Sequence, residues 1–464
     1  MYIKHFSLLI IALCQPFVFW AVIYILPTFD DFTTLQSPQF TSWLSAEDLL
    51  PNGSFWRPWD YLFGCLLGRF PSLFPTLNHL LILLGHSISA VLVFRICTLL
   101  KVGQTETNIS TLFFFFSPAA LGATLACDGL NQTYAQLWGL LALWCYLKEK
   151  YLLWPLLVAV AALSKENGLS WAIVPPIVAY AFSLINIRKA LRHCGIGFLL
   201  VIVYFTARLC LSVSDNINNE YTDATMMSHV NDFVQLMAYT WIPLDYMSVV
   251  YAPSRNLAMA VITVLFTLPF LVLLASRWRL LLTRRLLLLV ACFFILVSPH
   301  LITLVSIMHN YAALSIAAII MATLLSGIKP HYYYLFILYL SAALFTDVHH
   351  CLAARESGLL GKRLAMQAIE AADKPIERAF VINIDNPDEP RYSSFCVRPV
   401  DAFAWGLSVR HYTGYAWPAA ITEASLPAYD DRLVEALADS ALHSRNDIVW
   451  VVGHSPDSIK VLRH

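Results

Sequence analysis

The stretch FSLLIIALCQPFVFWAVIYILPTFDDF (Phe6–Phe32) decides the class of fold. Its first part, residues 6–26, is uncharged and mostly large and apolar. A helix of that length reaches across ~31 Å, about the hydrocarbon thickness of a bilayer. No small-residue cleavage site follows, so the segment reads as a retained helix rather than a leader. The chemistry then reverses: Asp30 and Asp31 are adjacent carboxylates at the end of a run built for lipid. Ordinary loop polarity would explain them, and so would catalysis at a membrane surface.

The apolar pattern recurs along the chain. Of 464 residues, 58% are hydrophobic and 13% charged, against the ~25% charge of a soluble domain. Mean hydropathy is +0.64. Apolar spans are expected at about 6–26, 77–100, 109–127, 132–148, 151–164, 168–187, 194–213, 257–276, 285–307, 310–327 and 331–347, which makes eleven transmembrane helices. With the N-terminus inside, the inner segments carry Lys4, Arg95, Lys101, Lys148, Lys150, Arg188, Lys189, Arg192, Arg277, Arg279, Arg284, Arg285 and Lys329; the outer ones carry Arg57, Arg69, Lys165 and Arg255. That asymmetry fits the positive-inside rule and puts everything after residue 347 outside. The fold class expected is a polytopic α-helical membrane protein (1–347) with long outer loops at 27–76 and 214–256, followed by a small soluble extracytoplasmic α/β domain (348–464). Both loops contain amphipathic, aromatic stretches of the kind that lie in an interface. In the C-terminal part, helix patterns at SGLLGKRLAMQAIEAA and DDRLVEALADSAL alternate with the strand-like RAFVINI and DIVWVVG.

The zero net charge supplies no basic field for nucleic acid. The ten cysteines show no zinc spacing; Cys351 and Cys396 would be close to an oxidising compartment and could pair there.

Ionisable residues near the membrane are costly and mark function by default. Asp30 and Asp31 could take a proton from an acceptor hydroxyl, or together hold a divalent cation such as Mg or Mn. Arg57, in FWRPWDY, and Lys165, in ALSKENGLSW, could contact a phosphate; interfacial anchoring and a simple Lys165–Glu166 loop pair are the bland alternatives. Asp128, in LACDGLNQT, could add a further acid or merely cap a helix. His79 and His86 lie seven residues apart on one helix face, His86 read as a hydrogen-bonded core histidine. His309 and Tyr311, in SIMHNYAAL, could donate to a phosphate or sugar. All of these fall on one side of the membrane under one topology, which is unlike a transporter's midplane site.

Four stretches, FDDF, the WRPWDYLFGCLLGRFPSLFPTLNHLLILLGH block with its paired histidines, LSKENG and MHNYAAL, resemble in order the motifs of GT-C glycosyltransferases. The likeness is to the dolichyl-phosphate-mannose protein O-mannosyltransferase group and its bacterial relatives, and it covers about residues 1–345. The resemblance implies a GT-C-like membrane domain that moves a sugar from a polyprenyl-phosphate donor to a hydroxyl of a glycan, lipid-linked glycan or protein, with inversion, on the extracytoplasmic face. It implies Asp30 or Asp31 as base or metal anchor and Arg57 and Lys165 as donor-phosphate contacts, with His309 standing where relatives have an arginine. Asp128, His79, Glu166 and Tyr311 would support the site. It further implies a bacterial inner membrane, with the site and the C-terminal domain in the periplasm, and a role in cell-envelope polysaccharide modification. The sequence departs from the group at Ser117-Pro118, which no glutamate follows, and in lacking tetratricopeptide repeats. The competing expectation is a transporter or flippase for a lipid-linked glycan, for which His86, Arg208 and His300 would be the buried polar candidates.

Overall fold

The computed structural model describes residues 5–28, 31, 49–51, 56–68, 70, 73, 75–212, 226–243, 256–301, 307–329, 333–370, 377–384, 407–413, 421–444, 446–455 and 458–463. Asp30, Arg69, Arg255 and Cys396 lie outside them. The chain is predominantly helical. In order come α1 (Phe6–Val22), α2 (Pro58–Gly68), α3 (Thr76–Leu99), α4 (Gln104–Phe115), α5 (Leu121–Leu125), α6 (Leu130–Leu147), α7 (Leu153–Ser164), α8 (Val174–Ala181) and α9 (Ile187–Leu211). They are followed by α10 (Met226–Trp241), α11 (Asn256–Ser276), α12 (Trp278–Leu281), α13 (Arg284–Val297), α14 (Tyr311–Leu325) and α15 (Tyr333–Glu370). A small C-terminal unit adds β1 (Arg378–Ile384), α16 (Leu407–Thr413), β2 (Ile421–Leu426), α17 (Asp431–Ala441), β3 (Asp447–Ser455) and β4 (Ser458–Arg463).

Among the described residues, four helices are long and apolar enough to cross a membrane, or five if one bent pair counts as a single span. Helical structure lies at each of the eleven expected positions, but several pieces are shorter than a bilayer crossing requires. Burial shows why the apolar pattern is not that of a soluble core. In α3, His79, Ile82, His86, Ala90, Val93 and Cys97 are buried at helical spacing, whereas Leu80, Leu84 and Ile88 on the other face are 41–50% exposed. The polar side chains face protein and the leucines face outward, the arrangement that suits a lipid solvent. On α9 only Ala190, Gly197 and Tyr204 are buried, one stripe at seven-residue spacing. A Cβ at Gly197 would sit 2.0 Å from the carbonyl oxygen of Ala172, so glycine is what lets α9 reach its neighbour. At the centre stands α14, buried nearly all round.

Three expectations about spans need correction. The one at 109–127 is broken: α4 ends at Phe115, a 3₁₀ turn covers Pro118–Ala120, and the two parts meet at 45°. Pro118 cannot donate into the helix ladder and disfavours helical geometry at Ser117. The Ala119 amide turns to the Ser117 hydroxyl at 3.3 Å, and the Phe115 carbonyl is released to accept from His86 Nε2 at 3.1 Å. The span at 168–187 begins as a 3₁₀ segment, Glu166–Ala172, because Pro175 and Pro176 allow an α-helix to start only at Val174. The last span does not stop at residue 347: α15 runs 38 residues without interruption through SGLLGKRLAMQAIE, so no break in secondary structure marks the expected domain boundary.

In the C-terminal unit the sheet order is β2-β1-β3-β4, parallel except for β4 against β3. RAFVINI and DIVWVVG are its two central strands, as their apolar character predicts for strands covered on both faces. Val434 and Ala438 of α17 pack on Ile382, Val449 and Val451. The α17 N-terminus is capped by Asp430, whose carboxylate accepts from the Arg432 and Leu433 amides. Cys351, on α15, is a free buried thiol packed beside Val22 and Ile25; the Cys396 with which it could have paired lies outside the described residues.

Replacing Gly197 by leucine should push α9 off the Ala172 carbonyl and lower the thermal midpoint in detergent; replacing exposed Leu199 by alanine should leave it within about 1 °C. Equal midpoints for the two variants would contradict this packing.

Candidate active site

Six short segments converge where the apolar helices end: residues 28 and 31, 56–60, 127–131, 165–167, 300 and 308–309. The strongest link is an ion pair. Arg57 NH2 lies 2.8 Å from Glu166 Oε2, its Nε 3.0 and 3.2 Å from both carboxylate oxygens, and the Trp56 amide donates to Oε1 at 3.2 Å. Each partner is 22% exposed. The planar fork of guanidinium suits such bidentate pairing. Trp56 also stacks on Tyr204 of α9 at 5.2 Å. The 3₁₀ turn that starts at Glu166 is what aims its carboxylate at residue 57.

Next to the pair, Lys165 is only 8% exposed. Its Nζ donates to the Met308 thioether at 3.5 Å, and among the described residues no carboxylate reaches it within ion-pair distance. Burial pushes it down to about 8, Arg57 repels it further, and Asp128, Glu166 and Asp60 pull the other way. Burial raises Asp60 to about 6 against the attraction of Arg57 and a hydrogen bond from Asn131 Nδ2 at 3.1 Å. Burial likewise raises Asp128, opposed by Lys165 and Arg57. For Glu166 the desolvation is outweighed by Arg57, which holds it below the ordinary carboxylate value. Burial would lower Arg57, yet Glu166 and Asp60 outweigh it and raise it.

Asp31 has a different position from that of an open base. It is 3% exposed, its Oδ1 accepts from the Asp128 amide at 2.9 Å, and its Oδ2 accepts from the Thr28 amide at 2.8 Å. Both oxygens are therefore engaged by backbone, and the residue ties the end of the first span to the turn that carries Asp128. Among the described residues no group of three or more His, Cys, Asp or Glu side chains could hold a metal ion. A narrow cleft lined by Asp60, Asn78, Asp128 and Asn131 opens beside this tie.

The histidines divide. His309 stacks on His300 with ring centres 4.2 Å apart, and both lie within electrostatic reach of Lys165 and Arg57. His79 lies 3.2 Å from the Ile25 carbonyl and 3.6 Å from Cys127 Sγ, behind Asp31 rather than in the cleft. Tyr311 is fully buried and points into the bundle, its hydroxyl 2.7 Å from His86 Nδ1. That places Tyr311 away from the charged cluster. Sequence reading passed over Asn167, whose Nδ2 donates to Gln132 Oε1 at 3.2 Å and lies 3.0 Å from His300 Nε2. Asn131, whose Nδ2 donates to Asp60 Oδ2 at 3.1 Å, was likewise passed over. A neutral amide beside charged residues carries no periodic signal, so nothing in the sequence singles either out.

Two outcomes are expected of these contacts. In a double-mutant cycle, Arg57→Gln and Glu166→Gln should show a coupling of about 1–3 kcal/mol in unfolding, since each single change strands its partner. His86→Ala should cost about 2–4 kcal/mol by leaving the Tyr311 hydroxyl and the Phe115 carbonyl unpaired in the core. Denaturation of the detergent-solubilised protein reads both; additive single changes, or a silent His86→Ala, would contradict the assignments.

The sequence matches no protein-family model and no curated protein. In three dimensions the chain is similar to a crystal structure of ArnT from Cupriavidus metallidurans bound to undecaprenyl phosphate, with a TM-score of 0.49 and 9% identity over 97% of this chain and 93% of that chain.

Proposed function

We propose that this chain is a membrane glycosyltransferase of GT-C type that transfers a sugar from a polyprenyl-phosphate donor to an acceptor hydroxyl. The observation that carries the reading is Lys165: a buried ammonium with a thioether as its hydrogen-bond partner, set among Asp60, Asp128 and the Arg57–Glu166 pair at the end of an apolar bundle. An ammonium so placed is a receptor for an anionic group, and the adjoining acids can take a proton. The surrounding apolar helices suit a long isoprenoid tail.

In this proposal the acceptor oxygen attacks the anomeric carbon as its proton passes to a carboxylate of the cleft. The bond from that carbon to the phosphate oxygen breaks, and polyprenyl phosphate leaves with the bonding electrons. Single displacement inverts the anomeric centre. Lys165 stabilises the negative charge that grows on the leaving phosphate. His309 borders the same space. Arg57, committed to Glu166, acts on Lys165 through its field rather than as the main phosphate ligand. Asp128 is assigned as the base, Asp60 as its partner in the cleft, and Asp31 as a positioning residue that holds the Asp128 turn through its backbone amide. The outer, periplasm-facing side of a bacterial inner membrane is the proposed location, and a glycan, lipid-linked glycan or protein hydroxyl the proposed acceptor.

The test is sugar release from a panel of polyprenyl-phosphate sugars by the full chain in nanodiscs. Lys165→Ala should raise the KM for donor by roughly 10- to 100-fold, the loss of one charge-assisted hydrogen bond. Asp128→Asn should lower kcat by about 10²- to 10⁴-fold, with Asp60→Asn and Asp31→Asn falling less. Full activity of Asp128→Asn together with loss in Asp30→Asn would move the base to Asp30. Transfer by none of the donors in folded protein would favour a transporter instead.

A pH profile supplies a second check. Burial raises the Asp128 carboxyl, which must be deprotonated to act as base, so turnover should climb with pH through a range above the ordinary carboxylate value. Lysine binds phosphate only when protonated, so donor affinity should weaken as pH rises through about 8, a limb absent from Lys165→Ala.

A further inference from the structure

At the other end of α14 from His309, some 22 Å away along its fifteen residues, a second cavity of about 230 Å³ opens between α11, α14 and α15. Leu273, Met321, Phe336 and Tyr339 form its apolar walls. Its inner end is closed by Tyr339, 2% exposed, whose hydroxyl donates to the Trp241 carbonyl at 3.0 Å. Two of its lining residues, Val272 and Leu335, are 37% and 38% exposed, so it opens sideways onto the outward-facing apolar surface of the bundle. At its rim stand Arg277 and Lys329.

The neighbouring arginines on the same end are engaged with rings. Arg284 lies over the Tyr180 ring and donates to Ser183, Arg285 lies over Phe182, and Arg279 over Trp278. Arg277 instead donates to the Ser326 carbonyl at 2.9 Å, pinning the turn that Gly327 makes at φ +71. Among the described residues, neither Arg277 nor Lys329 pairs with an acid. A cavity with apolar walls, a lateral opening and two adjacent positive charges at its mouth fits one chemistry: an acyl chain inside and an anionic headgroup at the rim.

We propose that this cavity binds an anionic glycerophospholipid, one chain between α11, α14 and α15 and its phosphodiester against Arg277 and Lys329. The site is separate from the charged cluster of the candidate active site and does not depend on the reaction assigned there. Its occupant would brace the α14–α15 turn, and through α14 the end that carries His309.

The experiment is native mass spectrometry of the delipidated full chain titrated with phosphatidylglycerol or phosphatidylcholine of the same chains. Phosphatidylglycerol should be retained over phosphatidylcholine by on the order of tenfold, with about threefold of that lost for each of Arg277→Gln and Lys329→Gln. Arg188→Gln, on the same side but away from the cavity, should change nothing. Leu273→Trp, which fills the cavity and keeps both charges, should also abolish preferential retention. Equal retention of the two lipids overturns the proposal, as does wild-type retention in the double variant. Displacement of the lipid by millimolar inorganic phosphate would reassign the rim to a free anion. Should Arg277→Gln unfold, exposed Lys329→Gln alone decides the charge contribution.

Discussion

The site depends on one bond that crosses the chain, the bidentate pairing of Arg57 with Glu166. It joins the segment before α2 to the turn after α7, segments more than a hundred residues apart in sequence. Burying two charges at the edge of an apolar bundle costs far more than an isolated hydrogen bond returns, and only close, two-pronged geometry recovers it. Once made, the pair fixes the environment of Lys165, which stands next to Glu166; among the described residues no acid lies within ion-pair distance of its ammonium. Within the pair Arg57 lowers Glu166 and Glu166 raises Arg57, whereas desolvation is the main cause that raises Asp60 and Asp128.

A second constraint is the broken helix at Ser117–Pro118. A continuous helix there would have consumed the Phe115 carbonyl. The break hands it to His86, and His86 in turn orders Tyr311 at the start of the central helix. A backbone fault thus becomes the seam between α3, α4 and α14. It also separates the two kinds of polar residue found in this bundle. His86 and Tyr311 satisfy one another inside the core, whereas Lys165, Asp60 and Asp128 stand at its end.

Much of this was legible beforehand. Helices fall where uncharged runs occur, because backbone polar groups surrounded by apolar side chains must bond within their own segment. RAFVINI and DIVWVVG were readable as strands from their β-branched and aromatic content, while ITEASL and SIKVLR, with polar residues interrupting them, were not. Asp128 and Lys165 stood out as charges bordering apolar runs. Arg57 stood out too, but its partner did not: Glu166, one residue from Lys165, had looked like a local pair and is bonded to Arg57.

By itself the sequence determined the apolar helices, their approximate limits, the strand core of the C-terminal unit and the short set of residues from which a site could be built. These follow from local hydrophobicity and backbone chemistry, which act over a few residues. Which of those residues meet was decided only by tertiary structure. Asp31 could have been a free base, but folding turned both its oxygens onto amides of Thr28 and Asp128. Tyr311 could have faced a ligand, but the kink at Pro118 gave it to His86. A carboxylate's role is set by the donors that reach it and the water it loses, and neither is a property of its neighbours in the chain.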